Sequence, residues 1–345
     1  MVDISSVMLS GVSDVVAKFI EWIYNGVGNY AVAVILFTLI LKVALSPLDV
    51  WQKIALRKNN KAMERLKPKL EKLQKQCGGN KELYAQKQMQ LYKEEGYSMF
   101  GSCIPMIVTL VLFFVIFAGF RAEVKNVNVE MYSEMREAYY STYDATGGDV
   151  DASKQAVIER FEKDYASRIS FLWVNNIFMP DGWQDAIPAY DKFVSSGIGG
   201  VGATDPYKDQ ASITGDRYEN AGETGYNEVM LALQEKYNNR WNGFLILPLL
   251  VVALSVVSSK LNKPMQAPTA GGNEQTEAAM KANMKVMQYM MPVMMGVFAL
   301  FYSAAFTLYM FISSLFTTVF QLVYNLVAKR KDKKEEEQRL INTYK

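Results

Sequence analysis

No histidine occurs among the 345 residues. That removes the commonest metal ligand and the side chain most often used as a general base near neutral pH. Cysteine is nearly absent as well, with only Cys77 and Cys103. No Cys/His zinc spacing, phosphate-cradling glycine loop or G-x-S-x-G turn is present. These absences argue against a hydrolytic or metal-dependent active site, so neither enzyme chemistry nor a cofactor is expected.

Charge is missing from long stretches. Residues 30–41, 100–120, 241–259 and 286–328 contain no Asp, Glu, Lys or Arg. A helix needs about 20 apolar residues to cross the hydrocarbon core, and the last run is about twice that length. It reads as two helices folded back near Tyr302 and Ser303. The expected fold is therefore an all-α integral membrane protein with five transmembrane helices, at 29–49, 100–121, 241–262, 284–302 and 303–328.

Lys42 is the one charged residue inside these apolar stretches, in 30–48. An ammonium near mid-bilayer costs roughly 2.5–3.5 kcal/mol on insertion scales, so such a residue normally faces protein or a water-filled cavity. The alternative is that Lys42 snorkels to an interface about two turns away. Thr38, one turn earlier, and Thr109 of the second span are expected to share its surroundings.

The connecting segments set the orientation. Residues 50–99 hold 12 basic and 5 acidic residues, net +7, whereas 122–240 hold 11 and 20, net −9. The shorter segments are also basic, with 4 basic and 2 acidic residues over 260–285 and 7 and 4 over 329–345. Basic segments stay on the cytoplasmic side, which places the N-terminus outside and the C-terminus inside. Both cysteines then face a reducing compartment, and no disulfide is expected.

Residues 1–28 lack the pattern of a cleavable leader. Apolar residues recur there at helical spacing, which fits an amphipathic helix lying in the interface or packed against the bundle. Within 50–99, Ala62, Met63, Leu66, Leu70 and Leu73 mark a helix. The break at Cys77-Gly78-Gly79-Asn80 and a second helix through Tyr92 make an antiparallel cytoplasmic hairpin. Its basic excess fits anionic lipid heads or ribosomal RNA, or simply fixes topology. In 122–240, the polar stretches 141–155 and 195–226 read as surface loop, and the aromatic run 171–181 as a segment at the outer membrane surface. Met284, Met287, Met291, Met294 and Met295 line one face of the fourth span, suited to varied apolar partners or to gap filling.

Several runs taken together resemble the YidC-type membrane protein insertase family. Phe37-Thr38-Leu39-Ile40-Leu41-Lys42 with Ser46-Pro47-Leu48 is similar to its first core helix. Pro68-Lys69, Leu91-Tyr92-Lys93 and Gly101-Ser102-Cys103-Ile104-Pro105 are similar to the hairpin and second core helix. Phe171-Leu172-Trp173 resembles the outer-surface motif, Ile246-Leu247-Pro248 the third helix, and Leu308-Tyr309 with Gln321 the last. The resemblance covers most of the chain apart from the two polar stretches.

It implies an insertase and membrane chaperone of the plasma membrane, in a minimal five-span form. A hydrophilic groove, open to cytoplasm and lipid, would receive the polar segment of a nascent membrane protein. The implied groove residues are Lys42, Thr38, Thr109, Ser46, Ser313 and Ser314. The implied apolar path is Met287, Met291, Met294, Phe306, Met310 and Leu315. Implied partners are nascent membrane proteins, the ribosome, the Sec translocon and lipid, with no small-molecule substrate. The sequence departs from the family pattern in four places. Lys42 stands where an arginine is usual, and Thr109 where a glutamine is. Ser303-Ala304-Ala305 replaces a Pro-x-Gly, and Ser313-Ser314 replaces Ser-Asn. Lysine keeps the charge but lacks the planar fork that grips a carboxylate bidentately. The other class of function is a small transporter or channel for an anionic solute held by Lys42. Transporters of that kind show matched pairs of broken helices, and this sequence shows no such pair.

Overall fold

A computed structural model of the chain describes residues 4–78, 80–97, 99–208, 221–261, 290 and 292–343. Among these residues every regular element is helical: α1 (Ile4–Val27), α2 (Tyr30–Gln76), α3 (Lys81–Glu94), α4 (Met99–Thr146), α5 (Val150–Asp164), α6 (Ala166–Ile169), α7 (Tyr190–Val194), α8 (Gly222–Tyr237), α9 (Ile246–Leu261), α10 (Pro292–Phe301) and α11 (Ala304–Thr343). Helices α2, α4 and α11 each contain a stretch long and apolar enough to cross a membrane, and α9 and α10 are shorter apolar helices. The chain is an all-α membrane protein.

Three helices run past the ends that the charge pattern marked. Helix α2 continues from its apolar half into the hairpin without a break, 47 residues or about 70 Å. Helix α4 extends to Thr146, and α11 carries the basic tail as helix to Thr343. No Gly or Pro stands between 121 and 146, so nothing there stops a helix once started. In α2 the only proline near the boundary is Pro47. A proline leaves the carbonyl four residues earlier without its donor. The Ser46 hydroxyl donates to that carbonyl, of Val43, at 2.8 Å, so the helix survives the proline.

The chain divides into two compact units, Met1–Ile40, Phe114–Leu254 and Met295–Leu315 in the first, and Leu41–Phe113, Ser255–Met294 and Phe316–Lys345 in the second. In the first unit α1 packs its Ala17, Ile20 and Ile23 face inward and leaves Val15 and Trp22 exposed. Gly28, at positive φ, ends α1. Asn29 then caps α2 by accepting from the Ala31 and Val32 amides at 3.0 and 3.2 Å. A Cβ built on Gly119 of α4 would lie 2.3 Å from Cγ1 of Val16, so this is a close approach of the kind that small residues permit between membrane helices. Gly119→Leu is expected to cost about 1–3 kcal/mol by overpacking and to free α1 for proteolysis. Limited proteolysis of the detergent-solubilised variant checks this; an unchanged cleavage pattern would mean that α1 does not depend on the contact.

The polar stretch 141–155 is not loop, contrary to its composition. Helix α4 runs to Thr146, Gly147 and Gly148 turn the chain at positive φ, and Asp149 caps α5 by accepting from Ala152 N at 3.0 Å. Ser153, Val157 and Phe161 form its buried stripe, and α5 packs against α6 and α8. Around Tyr132, Tyr226 and Phe193 an aromatic core forms, with Arg136 stacked between Tyr140 and Tyr207 at 4.8 and 4.6 Å. Burial pushes the Tyr226 phenol well above its usual range. Of the second polar stretch, 195–208 is an ordered loop without regular structure and 221–226 opens with α8, while 209–220 lie outside the described residues.

In the second unit Met63, Leu66 and Leu70 of α2 enclose Tyr92 of α3, with Leu91 and Tyr97 against them. Asn80 caps α3 through the Glu82 and Leu83 amides. Lys69 holds the Glu95 carboxyl below its ordinary range through a hydrogen bond.

Candidate functional site

The second unit contains a polar seam between two apolar stretches of helix. On α2, Lys42, Ser46, Asp49 and Lys53 recur at steps of four, three and four and so share one face. On α11, Thr317, Gln321 and Asn325 recur at steps of four. Lys42 is half-buried, and its Nζ donates to Thr317 Oγ1 at 3.4 Å. Lys53 donates to Gln321 Oε1 and lies over the rings of Phe320 and Tyr324 at 5.6 and 5.7 Å. Gln321 donates to Asn325 Oδ1 at 2.8 Å, and Asn325 to the Leu261 carbonyl at 3.3 Å. Thr109 is exposed and accepts from Gln52 Nε2 at 3.2 Å. The seam offers charge and hydrogen-bonding groups for polar chain, with no nucleophile–base pair to react with it.

The other expected site residues fall elsewhere. Thr38 belongs to the core of the first unit, fully buried, with its hydroxyl donating to the Val34 carbonyl at 2.6 Å. The Ser46 hydroxyl is engaged by Val43. Ser313 and Ser314 are half-buried in the first unit, Ser313 bonded to the Tyr309 hydroxyl. Phe306 and Met310 are core residues of that unit, each 1% exposed, whereas Leu315 there is 42% exposed. Met294, in the second unit, is 44% exposed. Met287 and Met291 lie outside the described residues. Asp49, Lys53, Thr317 and Asn325 were not among the expected site residues. Their four-residue registers are visible in the sequence, but Asp49 closes the expected first span and Lys53 stands where the charge pattern already reads as loop.

The first unit holds a tightly bonded loop system. Asp181, fully buried, accepts from Trp173 Nε1, Leu245 N and Leu247 N at 3.2, 3.1 and 2.8 Å. It thereby caps α9 at the end where a helix dipole favours negative charge. Asn242 accepts from the Asn176 amide at 2.8 Å and donates to the carbonyls of Asn176 and Pro180 at 2.9 and 2.8 Å. The first amides of α11, Ala304 and Ala305, donate to the carbonyls of Met179 and Ile177 at 2.9 and 2.8 Å. Gln184 bonds the Leu300 carbonyl at the end of α10. One short segment, 171–187, thus satisfies orphan backbone groups of three helices. The cavity under it, lined by Phe117, Phe120, Arg121 and Tyr302 among others, is about 30 Å³, room for about one water.

The comparisons with known proteins agree with this architecture. A relative from Caldanaerobacter subterraneus subsp. tengcongensis, named membrane protein insertase YidC, is 32% identical over 104 residues, covering 30% of this chain and 48% of the relative. A second of the same name from Fusobacterium nucleatum subsp. nucleatum is 30% identical over 118 residues, 33% of this chain and 56% of the relative. A third of that name from Helicobacter pylori is 33% identical over 98 residues, 28% of this chain and 17% of the relative. The chain thus spans between a sixth and somewhat over half of the length of these relatives. The model of the 60Kd inner membrane protein family matches residues 22–333, nearly the whole chain and all the helices that build the seam and the loop system, and the chain belongs to that family.

Proposed function

We propose that this protein inserts nascent membrane proteins into the bacterial plasma membrane and assists their folding, with the Lys42 seam as the hydrophilic groove that receives the client's polar segment. The observation that carries this reading is the opposed pair of polar faces, Lys42–Lys53 and Thr317–Asn325, beside the apolar stretches of α2 and α11. In hydrocarbon each unsatisfied backbone group costs several kcal/mol. A seam of charge and amides lowers that cost for a polar segment on its way across. The relatives named as membrane protein insertases support the same activity.

Thr109 widens the polar surface at Gln52. The exposed Met294 offers adaptable apolar surface to a departing client helix. The hairpin, net +7 over 50–99, faces the cytoplasm, receives clients and meets the ribosome and the Sec translocon. The N-terminus lies outside and the basic tail inside. Reconstitution tests the reading. Liposomes containing the purified protein should protect the translocated tail of a short-tailed client from added protease, and protein-free liposomes should not. Equal protection in both removes the insertase reading.

Deleting residues 60–90 with a short linker should leave a folded membrane protein with insertion reduced severalfold. The hairpin core is small, Met63, Leu66, Leu70 and Tyr92, so its loss removes few buried contacts from the rest of the unit. Unchanged insertion by a folded deletion variant would show that reception does not need the hairpin.

A further inference from the structure

We propose that Lys53 is a second carboxylate-binding station, which takes an acidic side chain of the client at the mouth of the seam and passes it to Lys42. The proposal rests on the insertase reading and deepens it. Lys53 is a half-buried cation whose hydrogen-bond acceptor is a neutral amide, Gln321 Oε1. Among the described residues no carboxylate forms an ion pair with it. Asp49, one turn back on α2, acts on it only through the electrostatic field.

The acceptor is itself fixed. Gln321 is held by Asn325, and Asn325 by the Leu261 carbonyl, so α11 and α9 together position one amide oxygen under the ammonium of α2. Phe320 and Tyr324 place ring faces near the same charge at 5.6 and 5.7 Å. A lysine held by a neutral amide and by ring quadrupoles is positioned but not neutralised. An incoming carboxylate offers a charge-assisted bond of about twice the strength of a neutral one, so it displaces Gln321, and the rings keep the aliphatic stem in place.

Lys42 and Lys53 lie on the same face of α2, eleven residues apart, which is about 16 Å along the axis. That is about half the thickness of the hydrocarbon core. Asp49 stands between them and repels a carboxylate that lingers. Two cations with an acidic residue between them make the transfer of an acidic segment stepwise, and they assign the preferred client as one whose translocated tail carries Asp or Glu.

Zero-length carbodiimide coupling, which joins a carboxylate to a lysine amine as an amide, tests this on the unaltered protein. The probe is a stalled client with a single Asp in its tail, prepared at two lengths and reconstituted in liposomes, with coupled lysines identified by peptide mass spectrometry. The expected result is Lys53 coupled to the shorter, less inserted client and Lys42 to the longer. Coupling at Lys42 without coupling at Lys53 at either length overturns the second station and leaves the insertase reading standing. Coupling at neither lysine, with the tail protected from protease, overturns the station and the role of Lys42 alike. As a second measurement, Lys53→Met should slow insertion of the acidic-tailed client by about tenfold, the factor that corresponds to one charge-assisted hydrogen bond. A neutral-tailed client should be slowed several times less, and Lys53→Arg should restore the rate. Equal slowing of both clients, unrescued by arginine, makes Lys53 a structural clamp and overturns the proposal.

Discussion

Lys42→Met is expected to reduce insertion of a client with an acidic translocated tail by about 10- to 100-fold, because a hydrogen bond to a charged group contributes about 1.5–3 kcal/mol. Lys42→Arg should retain most of the activity, since charge rather than a particular fork geometry is what the seam supplies here. A neutral-tailed client should lose little. The stability of the variant separates this from a folding defect. Lys42 is half-buried among apolar helices and bonds only the Thr317 hydroxyl at 3.4 Å, longer than a normal hydrogen bond of that type. Removing its charge relieves desolvation, so Lys42→Met should melt at the wild-type temperature or above it. Reduced insertion with an undiminished melting temperature identifies a functional charge. A lowered melting temperature with equal loss for both clients would assign Lys42 to structure instead. Cysteine placed at 42 or at 317 should react with a water-soluble maleimide, whereas cysteine at the exposed, apolar 43 on another face should not.

The apolar runs, the hairpin and Lys42 were legible because each depends on local composition or spacing. The glycine break at 77–80 and the buried stripe of Met63, Leu66 and Leu70 were visible for the same reason. Other features depend on partners far away in the chain. Lys53 looks like an ordinary loop charge, and Asp49 like the end of a span, until Gln321, 268 residues from Lys53, stands opposite. Helix α5 was hidden because Asp149, Asp151 and Ser153 lower its apparent propensity, although one of them is its cap and another lies on its buried face. The resemblance implies a groove role for Ser46, but the proline beside it gives its hydroxyl a backbone carbonyl to satisfy. Thr38 shares a face with Lys42 by spacing, yet it lies in the other compact unit with its hydroxyl turned to its own helix. Periodicity identifies a face; it does not say which partner meets that face at each level.

Asp181→Ala should be the most destabilising single change in the first unit. The sequence shows Asp181 only as one acid in an aromatic segment, but the fold buries it completely with three donors aimed at it, Trp173 Nε1, Leu245 N and Leu247 N. Alanine leaves all three without that acceptor, one donor buried and two half-buried, and an orphaned buried donor costs about 1–3 kcal/mol. Donors that share one acceptor do not add fully, so a total of about 3–5 kcal/mol is expected, the range for removing one partner from a buried charged contact. For a unit of this size that lowers the melting temperature by on the order of 10 °C. Asp181→Asn should fall between, because its oxygen still accepts while its NH₂ faces a donor. Near-ultraviolet circular dichroism reports the loss at Trp173, whose indole N–H loses its carboxylate acceptor. Gly243 supplies the control. A Cβ there would lie 1.9 Å from Asp181 Oδ1, so Gly243→Ala alone should destabilise by a comparable amount. In the Asp181→Ala background that clash is gone, and the second substitution should add little. Additive losses in this cycle would show that Gly243 and Asp181 act independently, and the carboxylate would not be the centre that holds the 171–187 segment to the start of α9.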